Sequence, residues 1–342
     1  MDRVTATVND NPATVLALSG GIGGAKLVTG LARVLAPQQL LVMANTGDDF
    51  EHLGLTICPD LDTLMYTLAG VHDPAKGWGR AGDTRAFMHA LAELGGDTWF
   101  QLGDADLATH VERTRRLKSG ETLSAVTADF CRRLGVATRL LPMSDQPVRT
   151  LVQTADAVLP FQQYFVAQHC APEVRGFSFQ GAASARPLPP IMDALASHTL
   201  RAVVICPSNP FISIDPILAL PGVRAALAAC AAPVIAVSPI VGGRALKGPT
   251  AKMMRELDLP VTATSVARRY RALLDGYVLD RQDAAQVQDI GIPVCVSQTV
   301  MRNLDDKQAL AYSVLAFADE LARQPLRHAR VMHAPVPVEE CP

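Results

Sequence analysis

No stretch of the 342-residue chain reaches the roughly 18 consecutive apolar residues needed to span a bilayer, so no membrane span is expected. The first residues carry Asp2 and Asp10, and their apolar run is too short for a signal peptide. Charge of one sign is lacking too: 31 basic against 33 acidic residues leave a formal net charge of −2. That balance offers no basic field to collect nucleic acid or an anionic membrane. Seven cysteines (58, 131, 170, 206, 230, 295, 341) include no C-x-x-C pair. An odd, dispersed set fits a reducing compartment better than a disulfide framework. The eight histidines form no H-x-x-x-H or H-E-x-x-H pattern, and no Ser-His-Asp or Cys-His spacing stands out. Neither an internal repeat nor a low-complexity tract is present. These absences predict a soluble cytoplasmic protein with small-molecule partners, not nucleic acid or membrane.

What is present is apolar material: hydrophobic residues make up 49% and charged ones 19%. Short apolar runs at Ala13–Leu18, Leu40–Asn45, Ala202–Cys206, Pro233–Ser238, Val261–Thr264, Gly276–Leu279 and Pro293–Ser297 read as strands. Most are apolar throughout, as parallel strands covered on both faces require. Helical periods at Gly24–Leu35, Pro216–Ala229, Thr250–Glu256 and Val266–Leu274 alternate with them. The alternation predicts a doubly wound α/β core, residues 1–70 and 190–325. Between them, Thr84–Leu94, Leu107–Leu117 and Thr122–Leu134 read as helices, followed by a hairpin in "VQTADAVLPFQQYFVAQH". Residues 71–189 are therefore read as a mainly helical insertion with a small β element, and 326–342 as a frayed tail.

The first strand runs into Ser19-Gly-Gly-Ile-Gly-Gly-Ala-Lys26, where Gly20, Gly21, Gly23 and Gly24 fill four of five positions. Strand, glycine turn and helix aim backbone N–H groups and a helix dipole at an anion. The Walker pattern needs Gly-Lys-Ser/Thr, and Ala25 and Leu27 break it. The dinucleotide fingerprint fits Gly21 and Gly23 but meets Lys26 where its third glycine belongs. Phosphate binding is expected, but the loop alone names no nucleotide. A tight turn without ligand is the plainer alternative.

The second strand ends in "NTGDD", placing Asp48 and Asp49 where open α/β sheets hold ligands. Asp60 and Asp62 follow in a Pro-Asp-x-Asp-Thr run that opens a helix, so capping competes with a ligand role for Asp60. Oxygen-only donors beside phosphate suit Mg²⁺. A single acidic residue holding a ribose hydroxyl is the alternative. Two further strand-end loops carry Ser208, Asn209 and Ser213, then Gly242, Gly243, Arg244 and Lys247. His110 in "GDADLATH" is open to either a catalytic or a structural reading.

In order along the chain stand "SGGIGGAK" (19–26), "NTGDD" (45–49), "CPDLDTLMYTLAG" (58–70), "LGDADLATH" (102–110), "LPMSDQPV" (141–148), "PSNPFISIDPIL" (207–218) and "VSPIVGGRALKGP" (237–249). From about Thr14 to Leu321 the chain resembles the 2-phospho-L-lactate transferase family of coenzyme F-420 biosynthesis. That resemblance implies a Rossmann-like core with a helical insertion, a Mg²⁺ requirement and a homodimer. The implied reaction is a phosphotransfer. A phospholactyl-type group moves from a guanosine diphospho-activated donor to the ribityl hydroxyl of the deazaflavin Fo, releasing GMP. By resemblance, Asp48, Asp49 and Asp62 are the catalytic and metal-holding residues. Gly20, Gly21, Gly23, Gly24, Lys26, Ser208, Asn209, Ser213, Gly242 and Gly243 hold the nucleotide. Asp62, Gln101 and Asp104 face Fo, with Gln101 standing where many members carry a basic residue. Two rivals share the core. Nucleotide-sugar-sensing regulators should lack "PDLDT" and "GDxDLATH", and an NAD(P)-dependent oxidoreductase is weakened by Lys26. Lactate, enolpyruvate and glycerate donors are not distinguished by the sequence.

Overall fold

Seven apolar runs zip into one sheet, every neighbouring pair parallel. The computed structural model describes residues 15–323. The strands are β1 (Val15–Ser19), β2 (Leu40–Ala44), β3 (Arg139–Pro142), β4 (Ala202–Ile205), β5 (Val234–Val237), β6 (Gly276–Asp280) and β7 (Val294–Ser297). Their order across the sheet is β3-β2-β1-β4-β5-β6-β7. That order is the doubly wound one, with its reversal between β1 and β4.

Alternate residues of one strand feed different cores. Leu16 and Leu18 pack on one face of β1, Val15 and Ala17 on the other. Helices α1 (Gly21–Val34), α2 (Pro59–Ala69) and α5 (Leu123–Arg133) cover the second face, together with the long C-terminal helix α10 (Leu304–Ala322). Helices α6 (Pro189–Ala196), α7 (Val223–Ala229), α8 (Thr250–Glu256) and α9 (Ala263–Tyr270) cover the first. Helices α3 (Ala86–Glu93) and α4 (Asp104–Lys118) stand in the segment between β2 and β3. The β element there is a three-stranded antiparallel sheet of Arg149–Thr154, Val158–Pro160 and Val174–Gln180.

Four expectations change. The run Val261–Thr264 is no strand: the Thr262 side chain accepts the Ser265 N–H and starts α9, overriding its β-branched neighbours. Pro216–Ala229 is not one helix. Gly222, with φ +81, turns the chain between the Pro210–Leu218 segment and α7, an 84° bend. The expected hairpin pairs only Arg149–Thr154 with Val158–Pro160; Gln163–Ala167 is helical, and Val174–Gln180 supplies the third strand. Strand β3 was not foreseen, and it adds segment 71–189 to the edge of the core sheet. Among the described residues no single helix is long and apolar enough to cross a membrane. Ala13 and Thr14 of the first expected strand, the first residues and the tail at 326–342 lie outside the described residues.

Candidate functional site

At the sheet's reversal, where doubly wound folds hold their ligands, the carboxyl ends of β1 and β4 bring the glycine turn against the Ser208 loop. Gly20 N–H donates to Ser208 Oγ (3.2 Å), and that hydroxyl donates to Gly20 O (2.7 Å). A Cβ on Gly23 would stand 2.3 Å from Pro207 O, and one on Gly24 2.6 Å from Ser208 Oγ. These two glycines are thus required by contact between the loops. Gly21 sits at φ +64 and donates its N–H to Asp60 Oδ1 at 2.6 Å. The following amides of this first helical turn have no acceptor within the helix, as at any N-terminus. Ser213 lies against Gly20, where an added Cβ would come within 2.7 Å of its own Cβ.

Asn45, one residue past β2, organises the acidic groups. Its Nδ2 lies 3.1 Å from Asp48 Oδ1, 2.9 Å from Asp60 Oδ2 and 3.1 Å from Ile212 O. One amide nitrogen has two protons for these three acceptors, so the carboxylates are under-supplied with donors. Asp48, Asp49 and Asp60 are all buried, and none has an ion pair among the described residues. Burial, then the charge of Asp60, holds the Asp48 carboxyl well above the usual range. Burial pushes Asp60 up to about 6 and Asp49 up to about 7. Asp49 Oδ1 has no hydrogen-bond partner. Gln162 donates to Asp48 O (3.2 Å) and Thr150 N–H to Gly47 O (2.7 Å), so the three-stranded element grips this loop from above. Closely spaced buried carboxyl oxygens, whose ionised form a divalent cation would favour, fit Mg²⁺, and here they adjoin the first turn of α1. Asp48 and Asp60, with Asp49 beside them, are the residues that would hold it.

A family description, 2-phospho-L-lactate transferase CofD, matches residues 15–311. The chain belongs to that family. It is a transferase. A phosphoenolpyruvate transferase of Kitasatospora aureofaciens is 40% identical over 90% of this chain and 98% of its own length. A 2-phospho-L-lactate transferase of Methanosarcina acetivorans is 36% identical over 89% and 99%. Among solved structures, a UPF0052-family protein of Bacillus halodurans superposes with a TM-score of 0.59 at 12% identity. It covers 89% of this chain and 99% of its own, and that likeness concerns the fold alone.

Within this CofD-family chain, several expected site residues prove to be engaged elsewhere. Asp62, expected on the metal, is held at both oxygens by Arg113 in a buried fork and stands with Asp106 and His110 in a group whose donor atoms lie within 4.8 Å of one another. Asp60, two residues before it on α2, is the carboxylate that bonds the glycine turn. Asp104 accepts Thr84 Oγ1 and the N–H groups of Ala86 and Phe87, which caps α3. Asp83 returns the favour on Ala105 and Asp106 of α4. The Asn209 side chain caps the next turn at Phe211 N–H and meets Met253 Sδ. Gly242 (φ +56) and Gly243 (φ +72) form the two-residue turn of the hairpin Ile240–Val241/Arg244–Ala245, the conformation such turns require.

Gln101 Oε1 accepts from Arg85 at 2.7 Å. Lys26 donates to Met301 O (3.0 Å); burial, then nearby Lys247, lowers its pKa. Half-buried Lys307, across from it on α10, is lowered by burial and by Lys26. Such cations beside the glycine turn suit an anionic ligand. Asn45, Lys307 and Gln162 escaped the sequence reading. Only Asn45 carried a signal, as the first residue of "NTGDD".

Proposed function

We propose that the protein transfers a phosphorylated three-carbon acid from a guanosine diphospho-activated donor to the ribityl hydroxyl of Fo, releasing GMP, in coenzyme F-420 biosynthesis. The observation that carries this reading is the buried, cation-free Asp48–Asp60 pair against the glycine turn at the sheet's reversal. The diphosphate lies against the helix-start amides that follow Gly21, near Lys26, and Fo enters beside the segment bearing Gln162. The hydroxyl oxygen attacks the distal phosphorus, one P–O bond forms, the bridging P–O bond breaks and GMP departs. Such a transfer depends on positioning and charge neutralisation more than on a protein nucleophile. Asp49 is the group suited to take the hydroxyl proton, since it is buried, has an unpaired oxygen, and burial pushes its carboxyl up to about 7. A magnesium ion held by Asp48 and Asp60 would neutralise charge on the phosphate oxygens. The active unit is a homodimer, expected at twice the chain mass in light scattering.

For the acid, we favour enolpyruvate. Relatives named phosphoenolpyruvate transferase are 38–40% identical to this chain, against 34–36% for those named 2-phospho-L-lactate transferase. The test is mass spectrometry of the product formed from Fo and each guanosine diphospho-activated acid. The expected product is Fo bearing phosphoenolpyruvate, with one GMP released per transfer. Asp49→Asn should lower kcat by about 10²–10⁴, the range typical of a lost general base. Failure of every donor to modify Fo overturns the proposal.

A further inference from the structure

Beneath the carboxylates runs a second polar cluster that the reaction described above does not use. It lies in the seam between α2 and α4. From α2 come Asp62 and Tyr66, one turn apart; from α4 come Asp106, His110 and Arg113. Arg113 donates to both oxygens of Asp62, and its NH1 also reaches Thr56 O at 3.4 Å. His110 Nδ1 lies 3.7 Å from Asp62, and its Nε2 3.4 Å from Asp106. Tyr66 OH bonds Asp106 Oδ1 and Thr109 Oγ1, each at 2.7 Å. Thr114 Oγ1 adds a bond from Thr56 N–H at 2.7 Å. Arg113 and His110 are each 2% exposed and Tyr66 0%, while Asp106, at 14%, reaches the seam's edge.

Burying this many polar groups is expensive, and replacing a buried ion pair by apolar residues is often neutral or stabilising. Stability alone therefore does not account for the seam. Its geometry does. The first turn of α2 carries Asp60 and Asp62 two residues apart. Asp60 is tied to the core at Gly21 N–H and Asn45, while Asp62 is tied to α4 by a planar fork. A helical turn pinned at two points by hydrogen bonds of fixed direction cannot rotate.

We propose that Arg113 is a positioning residue: through Asp62 it fixes the first turn of α2 and so places the Asp60 carboxylate opposite Asp48. The trio Asp62, Asp106 and His110, whose donor atoms lie within 4.8 Å of one another, then serves the seam. The inference rests on the reading that Asp48 and Asp60 hold a divalent cation.

The test is Mn²⁺ binding followed by electron paramagnetic resonance, with GDP present, on the full chain. Arg113→Lys keeps the charge and loses the fork. It should weaken Mn²⁺ binding at least tenfold and lower kcat with the thermal midpoint of the fold retained. Should that variant fail to fold, the neutral pair Asp62→Asn with Arg113→Gln keeps a hydrogen bond across the seam and should show the same weakening. Mn²⁺ affinity within twofold of wild type in the folded variants overturns the proposal. So does wild-type affinity in Arg113→Lys alongside complete loss in the double variant, since Asp62 would then be a metal ligand. Wild-type protein that fails to bind Mn²⁺ overturns both this inference and the cation reading. Fo transfer, measured separately, tells the transferase reading apart.

Discussion

Asp280 closes β6 by holding two loops at once. Its Oδ1 accepts from Gln282 N–H (3.1 Å) and Nε2 (3.2 Å), its Oδ2 from Thr299 N–H (2.8 Å) and Oγ1 (3.1 Å). Burial works against the charged form, but these four bonds outweigh it and hold the carboxyl below its ordinary value. A depressed native pKa means stabilisation that is present above the unfolded pKa, about 3.9, and is lost as pH falls through the native one. Asp280→Asn should therefore cost about 1.5–3 kcal/mol at pH 7, the range for hydrogen bonds to a charged group. The gap to wild type should shrink at pH 3.5, both read from urea unfolding. An equal gap at the two pH values would show that the charge contributes nothing. At this same scale the place of Asp48 and Asp49 just past β2 is legible, because a strand end fixes where they stand. The sequence alone leaves Asp60 between cap and ligand, since helix-opening aspartates do both. The Asp62–Arg113 fork is not legible, because its partners stand 51 residues apart, beyond any local pattern.

Helices α1 and α10 cross at Gly30, where a Cβ would stand 2.1 Å from Lys307 O. Alanine is the better helix former by about 1 kcal/mol. The obstacle here is a backbone carbonyl, which cannot swing aside as a side chain can. Gly30→Ala should therefore destabilise by about 1–3 kcal/mol, the usual cost of overpacking, as a lower urea midpoint with unchanged slope. A raised midpoint would mean that α10 yields freely. The crossing also sets Lys307 near Lys26, so the variant should weaken GDP binding as well. Element boundaries were readable where a cap announces them: Thr122 starts α5 at Ala125 N–H. Thr262 works the same way, but a Val-Thr-Ala-Thr run hid it behind strand-like composition. Helix α1 begins three residues before its apolar period does, because its glycines carry no period at all.

The whole molecule turns on how segment 71–189 joins the core. Its β3 pairs with β2 from Leu41↔Arg139 to Ala44↔Pro142, and sends Leu140 to one core and Leu141 to the other. Four residues, bounded by polar turns and lying in a helical stretch, gave too short a pattern to read as a strand of the distant sheet. Replacing 71–189 by a short linker should therefore remove a sheet edge along with the covering helices. The expected result is a chain without cooperative unfolding, seen as a flat urea transition. Excising only 146–186 is a different cut. Ser144 and Pro187 already bridge across its ends, so closure demands little chain entropy. This shorter form keeps β3 but loses Val148, Val152 and Tyr164 from the core, and Gln162 from Asp48. It should unfold cooperatively at a lower midpoint and fail to transfer to Fo. Cooperative unfolding of the larger deletion would show the segment to be separable, with β3 an ornament of the sheet instead of its third strand.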